Sequence, residues 1–515
     1  GQIEFHNFTG KEEDELIHMI NTKKYNFFTS WLTGKGKYHE EALGHDKLVI
    51  VDFLQNEGFA DAQVDIDVTT SSKTGKLVVN ITAHKGEIFH IGRVSFSGNE
   101  LYDNAEVEKV LKIKDGAIYS PKEIEATSQA IKDLYGKKGY IEANVQYRLE
   151  LSPNSPVYNI HYDIEEHEQF KIGLIRVVGN SCTNTNVILR ESLLVPGEVF
   201  DSRKLKATEQ RVEAIGYFKS VNVYPVRTPE DRSLGPNYRD VIIEVEEQST
   251  GNLSLFFGFS TMNELFGGLE LTENNFNIKG LASWWRTGMA GLRGNGEYAH
   301  VKATIGSKEQ SYVLSWLTPY LHDTRWRLGF DVGYSDSKLT SKNYNTKKVF
   351  GSINANYPLS SNITWGMNTR LSNAVIKVTG DNVKNEEEQK QSQNSGLVLG
   401  FGTSLGYNST NSSYKATRGI RSNVSGEIAG LRRHSTEPRA FPFLKGELNN
   451  TFYYPVWKKG TFKMRADARF IYPLGDGNGA SLPVSERYFL GGETTVRGYR
   501  SFSLGPKLEK KDGVP

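Results

Sequence analysis

Apolar and polar residues alternate with a period of two from about residue 251 onward. The segments TRWRLGFDVGY, NITWGMNTRLS and TFKMRADARFIY each place apolar side chains at every second position, with Arg, Asp, Asn, Lys, Thr or Gly between them. A β-strand directs successive side chains to opposite faces, so this period is typical of strands with two different surfaces. The second half is therefore predicted to be a series of strands, each with one apolar and one polar face.

A membrane barrel and a soluble β-sandwich both produce such alternation. Two features favour the barrel. The predicted strands run to roughly 9–12 residues, often with Trp or Tyr near their ends, as the interfacial girdles of a membrane barrel require. Their polar faces are rich in Arg, Asp and Gly, which suits a hydrated interior. No apolar run approaches the roughly 18 residues of a spanning helix, so a helical membrane protein is excluded.

The formal net charge of +2 conceals two halves of opposite charge. Residues 1–250 contain 29 basic and 39 acidic side chains, whereas residues 251–515 contain 33 and 21. The halves therefore carry −10 and +12, and six of the seven Trp residues lie in the second half. This change of composition predicts a domain boundary near Gly251.

The first half repeats one pattern three times. The phrases FHNFTG, RVSFSGN and IRVVGN each predict a short strand closed by a glycine turn, and their glycines recur at spacings of 88 and 81 residues. A helical stretch follows each phrase, and then a glycine–aromatic pair and two alternating strands. The three pairs are Gly58-Phe59, Gly139-Tyr140 and Gly216-Tyr217.

This βααββ order resembles the POTRA repeat of outer-membrane assembly proteins; a generic α+β repeat is the alternative. The resemblance places three α+β repeats at 1–86, 87–167 and 168–248, followed by an antiparallel transmembrane β-barrel at 249–515. A POTRA repeat offers an exposed sheet edge, which can accept an extended client by β-augmentation.

The stretch PVSERYFLGGETTVRGYRSFSLGP, from Pro483 to Pro506, follows the last predicted strand. It closely resembles the sixth extracellular loop of BamA-like outer-membrane insertases, and the segments EEQSTGNLSLFFGFS, ENNF and LTPYL also look like that family. The resemblance implies that Arg497 docks the loop inside the barrel, against acidic residues of later strands. The loop-motif residues are Gly491, Gly492, Val496, Arg497, Gly498 and Tyr499.

The alternating segments number about eleven, whereas single-chain bacterial barrels usually have an even number of strands and must close. The family implies about sixteen strands. We therefore expect that the chain contains the first part of the barrel and ends within it, at the motif-bearing loop.

The resemblance implies an insertase in the bacterial outer membrane, with its POTRA repeats in the periplasm. Unfolded β-barrel clients would bind the repeats and enter the lipid bilayer at a lateral gate between the first and last barrel strands, and periplasmic lipoproteins would bind the repeat at 168–248. Glycine weakens a strand, so Gly258 suits a seam that opens. The first-strand residues of this gate are Gly251, Leu253, Leu255, Phe257, Gly258 and Phe259.

A second class of function fits much of the same sequence. A POTRA-bearing translocation or secretion pore, such as a TamA-like or two-partner secretion protein, would share the repeats and the loop motif. Its clients would pass through the lumen rather than into the membrane. A passive porin is disfavoured because it does not need three periplasmic repeats.

Enzymatic and ligand-binding motifs are weak or missing. The segment GNGEYA at 294–299 matches a dinucleotide fingerprint but leads into a predicted strand, which favours a glycine-rich hairpin. The single Cys182 excludes a disulfide scaffold, and none of the His residues forms HExxH. We expect no catalytic residue, no metal, no cofactor and no nucleic-acid partner.

Overall fold

The computed structural model describes residues 2–23, 40–70, 75, 77–153, 155–229, 235–260, 264–338, 344–378, 395–412, 415–434, 440–457, 460–475, 482–492, 495–499 and 504. The chain forms two compact units. One comprises residues 1–176, 192–211 and 222–244, and the other comprises 177–191, 212–221 and 245–515. None of the helices in these described ranges is long and apolar enough to cross a membrane.

The first repeat is a three-stranded sheet with two described helices. Its strands lie in the order β1-β3-β2, with β1 parallel and β2 antiparallel to β3. A capping box between Thr9 and Glu12 starts the first helix, and Leu16 and Leu54 are buried against the sheet. The elements are β1 (Gln2–His6), α1 (Gly10–Met19), α2 (Glu40–Asn56), β2 (Gln63–Thr70) and β3 (Leu77–His84).

The second and third repeats have the same sheet order, β4-β6-β5 and β7-β9-β8. The predicted sequence of strand, helices, strand and strand is confirmed in all three repeats. The elements of the second are β4 (His90–Ser97), α3 (Asn104–Glu108), α4 (Pro121–Gly136), β5 (Asn144–Leu151) and β6 (Val157–Glu165). Those of the third are β7 (Lys171–Val178), α5 (Thr185–Leu189), α6 (Ser202–Ala214), β8 (Phe218–Arg227) and β9 (Tyr238–Glu247).

The repeated Gly-Asn turn has a steric origin. Gly98 and Gly179 have φ of +78° and +88°, and a Cβ on either would lie 2.0 Å from a carbonyl oxygen of the neighbouring strand, that of Ile164 or Val245. Only glycine fits so close to the backbone at positive φ. The asparagine that follows each glycine donates from its side-chain amide to a carbonyl three residues further on, which closes the turn.

The glycine–aromatic pairs join consecutive repeats. The carbonyl of Gly58 accepts a hydrogen bond of 2.9 Å from the backbone N–H of Phe89, and that of Gly139 accepts one of 2.9 Å from Phe170. Each aromatic donor lies just before the first strand of the next repeat. The pair therefore ends the helical layer of one repeat and positions the start of the following sheet.

Eleven antiparallel strands, β10 to β20, form one sheet in which each strand pairs with the next along the chain. This confirms the predicted all-antiparallel series of eleven strands; among the described residues β10 and β20 are its two edges. The strands are β10 (Gly251–Ser260), β11 (Glu264–Phe276), β12 (Glu297–Gly306), β13 (Glu309–Thr318), β14 (Arg327–Ser337), β15 (Tyr344–Pro358), β16 (Ile363–Val378), β17 (Gly396–Asn408), β18 (Gly419–Arg433), β19 (Ala440–Trp457) and β20 (Gly460–Pro473).

The two faces of this sheet differ as the alternation predicts. On β17, Leu397, Leu399 and Phe401 are exposed, whereas Val398 on the other face is buried. An exposed apolar face on strand after strand is what a lipid-facing surface requires. The opposite face carries charged side chains and a small apolar cluster. That cluster consists of Val398, Ala429, Leu431, Phe443 and Leu482.

Candidate functional site

The first barrel strand, β10, pairs with β11 along its whole length, from Gly251 opposite Glu273 to Ser260 opposite Glu264. Its apolar side chains form one exposed row, in which Phe257 is 87% exposed. Gly258 faces the ring of Phe266, where a Cβ would approach within 2.7 Å of the ring carbons. The glycine therefore has a packing role in addition to the weakening effect predicted from the sequence. The exposed row consists of Leu253, Leu255, Phe257 and Phe259.

Hydrogen bonds to Glu273 hold the start of β10 in place. Glu273, opposite Gly251, accepts hydrogen bonds from the hydroxyl of Thr250 and from Nε of Arg293, the latter at 2.7 Å. The other end of the strand leads to residues 261–263, which lie outside the described residues. The described ion pair of Glu273 therefore stabilises only the Gly251 end of this strand.

The loop motif folds into one tight turn. The backbone N–H of Gly492 donates to the carbonyls of Val496 and Tyr499 at 3.2 and 3.1 Å, and that of Gly491 donates to the hydroxyl of Thr495 at 2.8 Å. Gly491, Gly492 and Gly498 all have positive φ, between +91° and +103°. These hydrogen bonds bring the two glycines and the VRGY segment together. Glycine is needed at these positions because a side chain at positive φ would strain the turn.

Arg497 is exposed at the tip of this turn. Its docking against acidic residues of later strands stays a prediction. The ion pairs between the loop and the described strands come instead from Glu486, in the ERYFLGG part of the same motif.

The carboxylate of Glu486 is buried, with 1% of its side chain exposed, and is surrounded by cations from three strands. It accepts hydrogen bonds from Nη1 and Nη2 of Arg370 at 2.9 and 2.7 Å and from Nζ of Lys445 at 2.6 Å. Nζ of Lys348 lies 3.8 Å away. A carboxylate held by a guanidinium fork and an ammonium group is among the strongest polar contacts a protein forms.

Arg370 links this loop residue to a second acid on the sheet. Its Nε and Nη2 also donate to Glu427, at 3.0 and 2.6 Å. Arg370 lies on β16 and Glu427 on β18, so the pair crosses the intervening strand β17. Gly400 of β17 makes the crossing possible, since a Cβ there would lie 2.8 Å from Oε1 of Glu427 and 3.2 Å from Nε of Arg370.

Two further contacts hold the same loop segment. Leu482 is buried in the apolar cluster with Leu431 and Phe443, and the hydroxyl of Tyr488 donates to Oε1 of Glu447 at 2.9 Å. Residues 482–488 thus contact β16, β18 and β19 through one apolar and two polar groups. None of these side chains was predicted from the sequence as a site residue, because their contacts join segments that are far apart along the chain.

A buried asparagine near the end of β11 contacts both the turn after β7 and the residues that immediately precede β12. The side-chain amide of Asn275 donates to the hydroxyl of Thr183 at 2.8 Å, and its oxygen accepts from the N–H of Gly296 at 2.8 Å. Gly294, at φ +105°, would place a Cβ 2.1 Å from the carbonyl oxygen of Cys182. The glycines of GNGEYA therefore permit backbone contact and lead into β12. The connection from β11 is longer than the predicted glycine-rich hairpin, because it contains the short helices Ile278–Ala282, Trp284–Thr287 and Gly288–Leu292.

Glu247, on the last strand of the third repeat, holds the same turn. It accepts hydrogen bonds from the hydroxyl of Ser181 and from the backbone N–H groups of Cys182 and Thr183. Burial raises the pKa of Glu247, but these hydrogen bonds outweigh burial and hold the pKa below its ordinary value. Among the described residues, no group of three His, Cys, Asp or Glu side chains is placed to hold a metal ion.

Comparison with known proteins assigns both halves of the chain. Residues 292–514 match the Omp85 superfamily domain, and residues 1–84, 89–167 and 170–248 match the POTRA family, described as a surface antigen variable number repeat. The outer membrane protein assembly factor BamA of Neisseria meningitidis is 26% identical over 99% of this chain and 62% of its own length. The protein of the same name from Nitratidesulfovibrio vulgaris is 24% identical over 96% of this chain and 59% of its own.

The chain thus spans about 60% of the length of these relatives. The crystal structure of BamA from Haemophilus ducreyi lacking POTRA domains 1–3 has the same fold, with a TM-score of 0.62 and 18% identity over 81% of this chain and 76% of that one. The repeats, the barrel strands and the loop agree with these matches. Residues 292–514 thus form an Omp85 superfamily domain and residues 1–248 contain three POTRA repeats, which together identify a BamA-like outer-membrane protein whose POTRA repeats lie in the periplasm.

Proposed function

We propose that this protein is the central subunit of a barrel assembly machinery, which inserts β-barrel proteins into the bacterial outer membrane. One observation carries the proposal: three POTRA sheets, each with an edge strand, precede a barrel sheet in a chain that resembles assembly factors over almost its whole length. The work is binding and templating of strands, so no covalent chemistry is required.

The edges of the POTRA sheets are the proposed entry sites for unfolded clients. Each three-stranded sheet has two outer strands that pair on one side only among the described residues: the first strand of the repeat (β1, β4 or β7) and the second (β2, β5 or β8). The second strand of each repeat is the proposed entry edge. An edge strand offers free backbone groups to an extended segment without reading its sequence. Outer-membrane strands, with their alternating pattern, are the segments that such an edge would bind.

The edge of the second repeat is the most suitable of the three. On β5, Tyr147 and Leu151 are 41% and 57% exposed, and the strand contains no proline. β8 contains Pro225, which lacks a backbone donor, and β2 contains Asp65 and Asp67. We therefore place the principal client contact on β5.

The proposed insertion step takes place at the first barrel strand. β10 would pair weakly with the last strand, and the opened seam would template an incoming client strand by backbone hydrogen bonds. Gly258 supports this role because a glycine lowers the stability of a strand. A short apolar band beside the seam would thin the bilayer and lower the barrier to insertion.

Accessory lipoproteins of the periplasm are the proposed partners of the third repeat, at 168–248. This repeat directly precedes the first barrel strand in the sequence, which supports the assignment. Copurification of lipoproteins with the full-length protein, compared with a variant in which this repeat is replaced by the second one, tests the assignment. Equal copurification with the two proteins would show that the lipoproteins bind outside the third repeat.

Depletion of the protein in its own host is the decisive experiment for the function. We expect the amounts of several unrelated barrel proteins in the outer membrane to decrease together. The same proteins should accumulate unfolded in the periplasm. The alternative, a translocation or secretion pore, predicts a different outcome. If unrelated barrels still inserted normally while one secreted substrate accumulated in the periplasm, the insertase function would be abandoned.

A further inference from the structure

The first segment of the sixth loop meets the barrel sheet through a buried charge cluster that the VRGY motif does not include. The cluster consists of Glu486 from the loop and of Arg370, Glu427, Lys445 and Lys348 from the sheet. All five side chains are at least partly buried, and Glu486 is the most deeply buried of them.

Without the loop, the residues that the sheet contributes to this cluster carry an excess of positive charge. It has three cations, Arg370, Lys445 and Lys348, and one carboxylate, Glu427. Like charges held close together in a partly desolvated site repel each other and favour any anion that can reach them. Glu486 supplies that anion, within 2.9 Å of two of the cations.

The sheet is also shaped for this contact. Arg370 reaches Glu427 over Gly400, and its guanidinium then presents Nη1 and Nη2 to the loop carboxylate. Because Glu427 fixes one edge of the guanidinium, Arg370 is already oriented when Glu486 arrives. A pre-oriented fork loses less conformational freedom on binding than a free side chain would.

We propose that Glu486 is the anchor of the sixth loop, and that the cluster of Arg370, Glu427, Lys445 and Lys348 is a built receptor for its carboxylate. Glu486 is a positioning residue: it holds residues 482–488 against the sheet and thereby sets where the VRGY turn begins. This anchor is distinct from Arg497, and it does not depend on the function proposed above.

The position of Leu482 provides a direct readout of the anchor. In the full-length protein with Cys182→Ser, a single cysteine replaces Leu482, which is buried beside Phe443. Labelling by a membrane-impermeant maleimide then reports how often the segment leaves the sheet. A cysteine at Thr495, which is exposed in the motif turn, controls for general access to the loop.

Glu486→Gln removes the charge and keeps the shape of the side chain. Since removing one partner of a buried ion pair shifts an equilibrium by far more than a factor of ten, we expect labelling at position 482 to accelerate at least about tenfold. Labelling at position 495 should not change. The matched control is Glu270→Gln on β11, whose carboxylate pairs with His300 and Lys302 outside the cluster.

Three further variants keep the test decisive. Gly400→Val changes no charge but pushes Arg370 away from Glu427, and it should also accelerate labelling at position 482. Lys445→Met combined with Glu486→Gln should label more slowly than Glu486→Gln alone, because the double variant removes one uncompensated cation. If Glu486→Gln does not accumulate in the membrane, Glu486→Asp, which keeps the charge and shortens its reach, should give an intermediate rate.

Unchanged labelling at position 482 in both Glu486→Gln and Gly400→Val would overturn the proposal. So would equal acceleration by Glu270→Gln, since that result would reflect general loosening of the barrel. The labelling rate is measured without any client, so failure of the anchor and failure of the insertase function give separate results.

Discussion

Asn275 donates a hydrogen bond of 2.8 Å to the hydroxyl of Thr183, and the two side chains are only 2% and 3% exposed. Thr183 belongs to the turn after the first strand of the third repeat, and Asn275 lies near the end of β11. The oxygen of the same asparagine accepts from the N–H of Gly296, just before β12. One buried side chain thus connects the turn after β7 to the end of β11 and the start of β12.

Asn275→Ala should loosen this junction. The substitution removes the donor to the buried hydroxyl of Thr183 and leaves the N–H of Gly296 without its acceptor, at a cost of about 1–3 kcal/mol. Hydrogen exchange of the backbone amides in 182–187 and 294–297 should become faster by a corresponding factor. Asn252→Ala, at an exposed position of β10, is the control, and equal exchange in the two variants would contradict the structural role of Asn275.

The turn that contains Thr183 should also weaken in acid. The pKa of Glu247 is lowered in the folded protein, so its carboxylate contributes stability above its ordinary pKa of 4.5 and loses that contribution as the pH falls through the folded pKa. Below pH 4.5 we expect lower protection factors, which correct for the slower intrinsic exchange in acid, at the amides of Cys182 and Thr183 that donate to this carboxylate.

Glu247→Gln provides the control for this pH dependence. The amide side chain does not titrate. At pH 7 the protection factors of the amides at 182–183 should therefore be lower than in the parent, and they should fall less than in the parent on acidification. An identical pH dependence in the parent and in Glu247→Gln would assign the effect to another group.

The local patterns predicted the elements well, for identifiable reasons. The alternation of β17 or β20 depends only on neighbouring residues, and so does the Gly-Asn turn, which needs a residue that tolerates positive φ. The two glycines and the VRGY segment were also close enough in sequence to be placed in one loop. In each case the physical cause lies within a few residues of the signal.

The charge cluster could not be predicted in the same way. Glu486 and Arg370 are 116 residues apart, and their contact depends on the register of several strands and on the path of the loop. Gly400 looks like any other small residue on a polar strand face until the Arg370–Glu427 pair is seen to pass over it. Pairings that cross an intervening strand leave no periodic trace in the sequence.

Arg497→Ala should impair assembly while leaving the Glu486 anchor in place. The family resemblance predicts that this guanidinium docks the loop against acids of later strands, whereas the contacts of Glu486 with β16 and β19 do not involve it. We expect faster proteolysis of the VRGY turn and slower client insertion, with unchanged maleimide labelling at position 482. Arg497→Lys keeps the charge but not the forked geometry of the guanidinium. Its proteolysis and insertion rates should therefore lie between those of the parent and those of Arg497→Ala. Normal insertion and normal protease resistance in Arg497→Ala would contradict the predicted docking.

The edge of the second repeat should crosslink to unfolded clients. A photoreactive residue at Tyr147, on β5, should capture barrel proteins during their assembly, and Leu151→Asp should reduce that capture because it replaces an exposed apolar contact with a charge. The same photoreactive residue at Val226 of β8, beside Pro225, is the comparison. More capture on β8 than on β5 would show that the client contact lies on the third repeat.

Locking the seam between the first and last barrel strands should stop insertion. In the full-length protein, a cysteine at Ser254 of β10 is paired with one in the last strand, and oxidation then joins the two strands covalently. If the gate opens to accept a client strand, the oxidised protein should be inactive and reduction should restore activity. A single cysteine at the same position of β10, oxidised in parallel, controls for damage by the oxidant. A crosslinked protein that inserts clients at the normal rate would exclude lateral opening at this strand, because backbone templating requires β10 to leave its partner before a client strand can take that place.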